Sequence, residues 1–217
     1  MSNINERTLK LAKAYSTDKS ELDNLLFGYS EDAKNDILSF LEMNFNDPNF
    51  SSLAEAVPLE ICGYKPYGPK HGYDGFLGES YDSANEYAEQ KPKKAILEDG
   101  VVKNVLNGGG GFADYTLARL ERDKSLGDKL VLVISGFANG DLLYVYKVPH
   151  NHSTFMQRIE NRTNKLIADG KRVVPDFSYM HYKDCENIQL VWLRNDIEDY
   201  QSYMSGPFYK WLTNLNK

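Results

Sequence analysis

The sequence predicts an α/β fold, a central mixed β-sheet flanked by helices, with a helical N-terminal region. Three observations carry this. Apolar residues recur at helical spacing over residues 5–46. From residue 84 the period changes to two. Asn139-Gly140 then sits between two apolar runs, the strongest short-range hairpin signal. Helices first, followed by strands with helices among them, suggest a sheet covered on both faces. Residues 1–60 are read as a helical region packed on a core of residues 61–217, the two making one structural domain.

Within residues 5–46, Ser30 followed by Glu31-Asp32 predicts an N-cap, with Ala33, Ile37 and Leu41 recurring at i+4 beyond it. Asn46-Asp47-Pro48-Asn49 ends that helix. A shorter helix is expected at 53–59, then loop or irregular strand at 63–75. Tyr87, Glu89 and Lys91 alternate with Ala88 and Gln90, so they share one face of a strand. Pro92 fits only near that strand's end or edge. Residues 101–106 read as a strand ended by Gly108-Gly109-Gly110-Gly111, and 112–124 as a helix. The two clearest strands are 129–137 and 142–148. Ser153 or Thr154 caps a helix to 168, with Phe155, Ile159, Leu166 and Ile167 inward and Arg158, Asn161, Arg162 and Lys165 outward. Strands at 173–182 and 188–193 precede a helix over 196–215, broken at Gly206-Pro207.

With 41% hydrophobic and 26% charged residues, the composition is that of a soluble globular protein rather than a disordered or membrane chain. No apolar run approaches the roughly 18 residues of a membrane span. The first residues, Met1 to Glu6, lack the basic start and apolar core of a signal peptide. Cys62 and Cys185 form neither a disulfide framework nor a metal-ligand spacing, which points to a reduced, cytoplasmic setting. The net charge of -6 resides in residues 1–60, which hold five basic and eleven acidic side chains. Residues 147–174 are instead basic, with Lys147, Arg158, Arg162, Lys165, Lys171 and Arg172 against Glu160 and Asp169. A polyanion would be met there, although such a stripe also serves as a solvated helix face.

The chemistry concentrates in Gly72-Tyr73-Asp74-Gly75 and, fifteen residues after Asp74, Glu89-Gln90-Lys91-Pro92. An acid at a turn followed by Glu-x-Lys on a strand provides two carboxylates for a divalent cation and an ammonium for the attacking water or the phosphate. These motifs resemble the PD-(D/E)XK nuclease superfamily, to which many restriction endonucleases belong, over roughly residues 70–148. The resemblance implies a restriction-endonuclease-like sheet and Mg²⁺ as cofactor. It also implies Asp74, Glu89 and the Gln90 carbonyl as metal ligands, with Asp74, Glu89 and Lys91 as the catalytic set. In that pattern proline usually precedes the first acid, and here Tyr73 stands there; Glu79, Asp82 and Glu86 are the other nearby acids. A further acid from a preceding helix often assists, and Glu60 or Glu55 suits that place.

Lys70, His71 and Lys93 near the motif, and Arg158, Asn161, Arg162 and Lys165 on the basic helix, are candidates for DNA contact. The implied function is Mg²⁺-dependent, sequence-specific cleavage of double-stranded DNA, as in a type II restriction enzyme, with a homodimer suited to cutting both strands. A phage homing or repair nuclease would share the chemistry. A non-catalytic protein-binding module using the acidic N-terminal region is the reading from another class.

Three further features stay open at this level. The glycine run lacks the Gly-Lys-Ser/Thr ending of a nucleotide-binding loop, so it either admits a phosphate backbone or is a flexible turn. His150-Asn151-His152 reads as a loop entering the basic helix. Tyr64, Tyr67 and Tyr73, interleaved with Lys65, Lys70 and His71, form either a polar aromatic surface or core.

Overall fold

The computed structural model describes residues 4–47, 52–68 and 72–215. The N-terminal region holds helices α1 (Glu6–Thr17), α2 (Lys19–Leu25), α3 (Glu31–Asn46) and α4 (Ser52–Ile61). Within the helical region expected over 5–46, with its one foreseen start at Ser30, three helices form. Asp18 is extended, and its carboxylate caps the next helix by accepting from Ser20 N and Glu21 N. A side chain that satisfies those amides makes a restart better than continuation. Ser30 caps α3 as the sequence implies, accepting from Ala33 N at 3.3 Å.

A seven-stranded mixed sheet follows. It comprises β1 (Lys65–Pro66), β2 (Gly75–Leu77), β3 (Glu86–Glu98), β4 (Val101–Lys103), β6 (Leu130–Ala138), β7 (Asp141–Pro149) and β9 (Gln189–Leu193), in the order β1-β2-β3-β6-β7-β9 with β4 paired to β3. A separate two-stranded ribbon joins β5 (Gly110–Gly111) to β8 (Asp176–Phe177). β3 and β6 run parallel, linked by the crossover helix α5 (Leu117–Leu126), and all other strand pairs are antiparallel. β6 and β7 meet at Asn139-Gly140, whose φ values of 51° and 86° suit a type I′ turn.

Alternation along β6 and β7 splits the core in two. Leu132, Ile134, Tyr144, Tyr146 and Val148 face α6 (Ser153–Ala168) and α7 (Gly206–Asn214). Val133, Phe137, Leu142 and Val145 face the N-terminal helices. Both faces of the central strands are therefore apolar, and all nine residues of β6 are buried.

Several expected boundaries move, each for a local reason. β3 runs thirteen residues, so Pro92 lies inside the strand and meets the edge condition rather than the end. Its missing N–H is harmless because β2 stops at the Gly75↔Ala88 pair, leaving that edge of β3 unpartnered by β2 at residue 92. The strand over 101–106 ends at Lys103, where Asn104 takes a positive φ of 55°. The helix expected from 112 begins only after Thr116, with Asp114 at φ 52° before it. On α6, Thr163 is buried while Ile167 is 44% exposed, so the inward stripe is Phe155, Ile159, Thr163 and Leu166. Neither Ser153 nor Thr154 caps that helix; His152 occupies the cap position without a side-chain bond. Of the strand expected at 173–182 only Asp176–Phe177 forms. The C-terminal segment divides at Gly206-Pro207 as expected, into a 3₁₀ stretch Ile197–Tyr203 and then α7.

The glycine run is packed. Gly108 has φ +60°, and a Cβ there would lie 2.5 Å from Tyr146 Oη, 2.6 Å from Tyr182 Oη and 2.7 Å from Phe208 Cε2. Those three rings are fully buried, and the two tyrosine hydroxyls bond each other at 2.6 Å. Gly108→Ala is expected to lose about 3 kcal/mol in urea unfolding, combining overpacking with left-handed strain. An unchanged midpoint would show that this core yields more easily than its packing implies.

Candidate active site

Register builds the site. β2 and β3 pair Leu77↔Glu86, Phe76↔Tyr87 and Gly75↔Ala88. The next step outward sets Asp74 opposite Glu89, and residues so opposed carry side chains on the same face of a sheet. The contact is concrete: Asp74 Oδ2 accepts the backbone N–H of Gln90 at 2.8 Å. Asp74 is thus held on β3 between Glu89 and Lys91, the other two candidate residues.

Glu89 and Lys91 occupy one face of β3, opposite Leu132 and Ile134 of β6. Lys91 Nζ lies 2.6 Å from Glu89 Oε1, and Glu89 is 5% exposed. Gly110 borders Lys91 closely, since a Cβ at Gly110 would fall 3.2 Å from Lys91 Cβ. The glycine run therefore gives room to the lysine stem rather than forming an open loop.

The second cation on Glu89 is one that sequence reasoning missed. Arg119 of α5 places Nη2 2.8 Å from the same Oε1. Its guanidinium stacks over the rings of Tyr115 at 5.2 Å and Phe112 at 5.6 Å. The one sequence signal for it is the i,i+4 pair with Asp123, and such pairs are common on exposed helices. Only the β3-α5-β6 crossover brings α5 over β3.

The electrostatics of the two carboxylates diverge. Burial, then the negative charge of Glu89, raises the Asp74 carboxyl to about 7, against the pull of Lys91 and the Gln90 amide. Burial would also raise Glu89, but the charges and hydrogen bonds of Lys91 and Arg119 outweigh it and hold Glu89 ionised below its ordinary value. A buried carboxyl brought near neutrality beside an ionised one is an arrangement that a shared cation relieves. Among the described residues, neither Glu89 Oε2 nor Asp74 Oδ1 makes a hydrogen bond or ion pair.

The remaining expected residues distribute as follows. The Gln90 side chain turns to the opposite face, where Nε2 donates to Ser135 Oγ at 2.7 Å. Its backbone N–H and C=O share one strand edge, so the carbonyl points to the side on which Asp74 lies. Glu60 is drawn away from the site, to Lys13 at 3.2 Å. The helical acid whose charge reaches Asp74 is Glu55, five residues earlier and on another face of α4. Lys93 donates to Asn107 Oδ1 at 2.9 Å. Among the rival acids, Glu86 bonds the Tyr64 hydroxyl and lies 3.7 Å from Lys147. Tyr64 and Tyr73 are buried, and Tyr67 stacks on Tyr81 at 3.7 Å, so these rings are packing rather than open surface.

On α6, Arg158 and Arg162 both bond Asp176, at 3.1 and 2.9 Å, while Asn161 and Lys165 are exposed. Asp176 pairs with Gly111 in the ribbon next to Lys91, so the two arginines border the site through that ribbon. Lys70 and His71 lie outside the described residues.

No protein-family model matches the chain, and no curated protein matches it in sequence. Among the described residues no helix is long and apolar enough to cross a membrane. Nor do three or more His, Cys, Asp or Glu side chains cluster there as a ligand set. The oxygen donors at hand are two carboxylates and one strand carbonyl, a set that suits Mg²⁺, which keeps several waters and borrows substrate phosphate oxygens.

Proposed function

We propose that this protein hydrolyses phosphodiester bonds of double-stranded DNA in a Mg²⁺-dependent, sequence-specific manner, in the way of a type II restriction enzyme of the PD-(D/E)XK kind. The observation that carries the reading is the Asp74 carboxylate lodged on the Gln90 amide, between Glu89 and Lys91. Asp74, Glu89 and the Gln90 carbonyl would hold the cation. When bound, Mg²⁺ supplies charge neutralisation at the phosphate and a lowered pKa for a coordinated water. Lys91 keeps a fixed ammonium at that spot, positioned by Glu89 and by the space Gly110 leaves, where it orients the attacking water or offsets charge on the phosphate. Arg119 holds Glu89 ionised and in place. Exposed Asn161 and Lys165 on α6, with Arg158 and Arg162 released from Asp176, meet the duplex.

A homodimer is part of the proposal, since two copies cut both strands of a symmetric site. So is a reduced, cytoplasmic setting. Cys62 and Cys185 are free, and burial pushes the Cys62 thiol up to about 12, which keeps it protonated and inert.

The test is incubation of the purified protein with plasmid DNA and Mg²⁺, beside Lys91→Ala. Discrete fragments from the wild type and a loss of about a hundredfold or more in the variant are expected. Fragments from both proteins alike would remove Lys91 from the mechanism. DNA left intact by the wild type across varied sequences, with capture of a protein partner, would replace the enzyme reading by a binding module.

A further inference from the structure

One buried carboxylate outside the proposed metal-binding set contacts a neighbour of each of its two acids. Asp123, on α5, is 2% exposed. Its Oδ1 accepts the hydroxyl of Tyr73 at 2.7 Å, and its Oδ2 accepts the hydroxyl of Tyr115 at 2.6 Å. Tyr73 immediately precedes Asp74, and its own backbone N–H donates to the Tyr81 hydroxyl at 2.7 Å. Arg119, one helical turn before Asp123, lies with Nε 3.7 Å from Oδ2 and Nη2 2.8 Å from Glu89 Oε1. The Arg122 guanidinium covers the Tyr73 ring at 5.0 Å, and His150 Nε2 approaches Asp123 to 3.9 Å.

We infer that Asp123 is a positioning residue for the proposed metal site, fixing Asp74 through the Tyr73 hydroxyl and Glu89 through Arg119. The inference rests on the reading of Asp74 and Glu89 as metal ligands. The physical case is that the two carboxylates come from different segments, a turn before β2 and the middle of β3, and each repels the other. Register alone brings their backbones together; it does not lock the turn that carries Asp74. A tyrosine anchored at its hydroxyl and at its amide locks that turn. An arginine drawn by charge to Asp123 at 3.7 Å and paired with Glu89 at 2.8 Å limits how far the second carboxylate swings. Because one carboxylate serves both, loosening it disturbs both ligands together. Outer partners of this kind, which orient ligating side chains, change metal affinity by roughly 10–100-fold when removed.

Calorimetric binding of Mn²⁺ to the full chain, without DNA, tests this. Asp123→Asn and Tyr73→Phe are compared with Ile159→Val, which trims the core of the same half of the molecule without touching the network. The expected result is Mn²⁺ affinity weakened about 10-fold or more in the first two, and unchanged in the third even where its melting temperature falls. The double variant should bind no more weakly than Asp123→Asn, because the Tyr73 hydroxyl acts through Asp123. Should Asp123→Asn fail to fold, Tyr73→Phe alone decides, since it removes one hydroxyl and keeps the ring. Wild-type affinity in a folded Tyr73→Phe would overturn the positioning role and leave the metal site standing. A wild-type chain that binds no Mn²⁺ would overturn the metal site and this role together.

Discussion

Glu89→Gln is expected to lower DNA cleavage by at least about a thousandfold, near 4 kcal/mol of barrier, while keeping side-chain shape. Two effects combine. The amide is a far weaker ligand for a hard cation than the carboxylate. It also releases Lys91 and Arg119, which both sit on Oε1 at 2.6 and 2.8 Å. Breaking a buried pair costs about 3 kcal/mol at the low end, the end that applies because Arg119 retains Asp123. Relief of repulsion on Asp74 returns part of that, so a net loss of about 2 kcal/mol in urea unfolding is expected. A third readout needs no DNA. Mg²⁺ at about a hundred times its dissociation constant should raise wild-type stability by about 2.7 kcal/mol, and this rise should vanish in Glu89→Gln. A variant that cleaves at the wild-type rate, or that keeps the Mg²⁺-dependent rise, would take Glu89 out of the site.

Acid sensitivity centred on His150 is the second large expectation. This imidazole is 1% exposed, packed 5.2 Å from the Phe155 ring and 6.0 Å from that of Phe112, with neither ring nitrogen hydrogen-bonded. Burial, the largest influence, pulls its pKa down to about 4, although Asp123 and Glu89 favour the charged form. The unfolded chain takes up the proton near pH 6.5 and the folded protein only near 4, so acidification through that window favours unfolding. The stabilisation is full above about pH 6.5 and falls by about 3 kcal/mol as pH drops to 4. Asp74 acts in the opposite sense across much of the same window, since its raised carboxyl regains stability as pH falls from about 7. The wild-type profile alone therefore mixes two terms of comparable size. The informative quantity is the difference between wild type and His150→Asn in metal-free buffer, measured by urea unfolding at pH 7 and pH 4.5. The variant should lose less stability on acidification than the wild type, by about 2 kcal/mol or more. Parallel profiles would mean that His150 binds its proton equally in both states.

Local order was readable where the responsible residues are close in sequence. The Ser30 cap, the Asn139-Gly140 turn and the break at Gly206-Pro207 each depend on a few neighbouring side chains and dihedral angles. The placement of Glu89 and Lys91 on one face needed only strand alternation. What misled was local polarity without its tertiary partners. Arg158 and Arg162 read as an outward stripe, solvated or meeting DNA, yet both bond Asp176 of the glycine ribbon. Gly108-Gly111 read as a phosphate-admitting run or a flexible turn, yet it is pressed against Tyr146, Tyr182, Phe177 and Lys91. Glu60 and Glu55 both suited the place of a helical acid, and the sequence alone does not show that helix phase aims Glu60 at Lys13 while the charge of Glu55 reaches Asp74.

Sequence thus settled the α/β class, most of the strand and helix order, and the single strand that presents a carboxylate and an ammonium side by side. The meeting of Asp74 with that strand, the arrival of Arg119 over it, and the burial of Asp123 and His150 beneath it were settled by the packed structure. The physical reason is range. Alternation, capping and turn dihedrals act over a few residues, whereas the Tyr73–Asp123 bond spans 50 positions and the Gln90–Asp74 bond 16, and both exist only once the sheet and its crossover helix have closed.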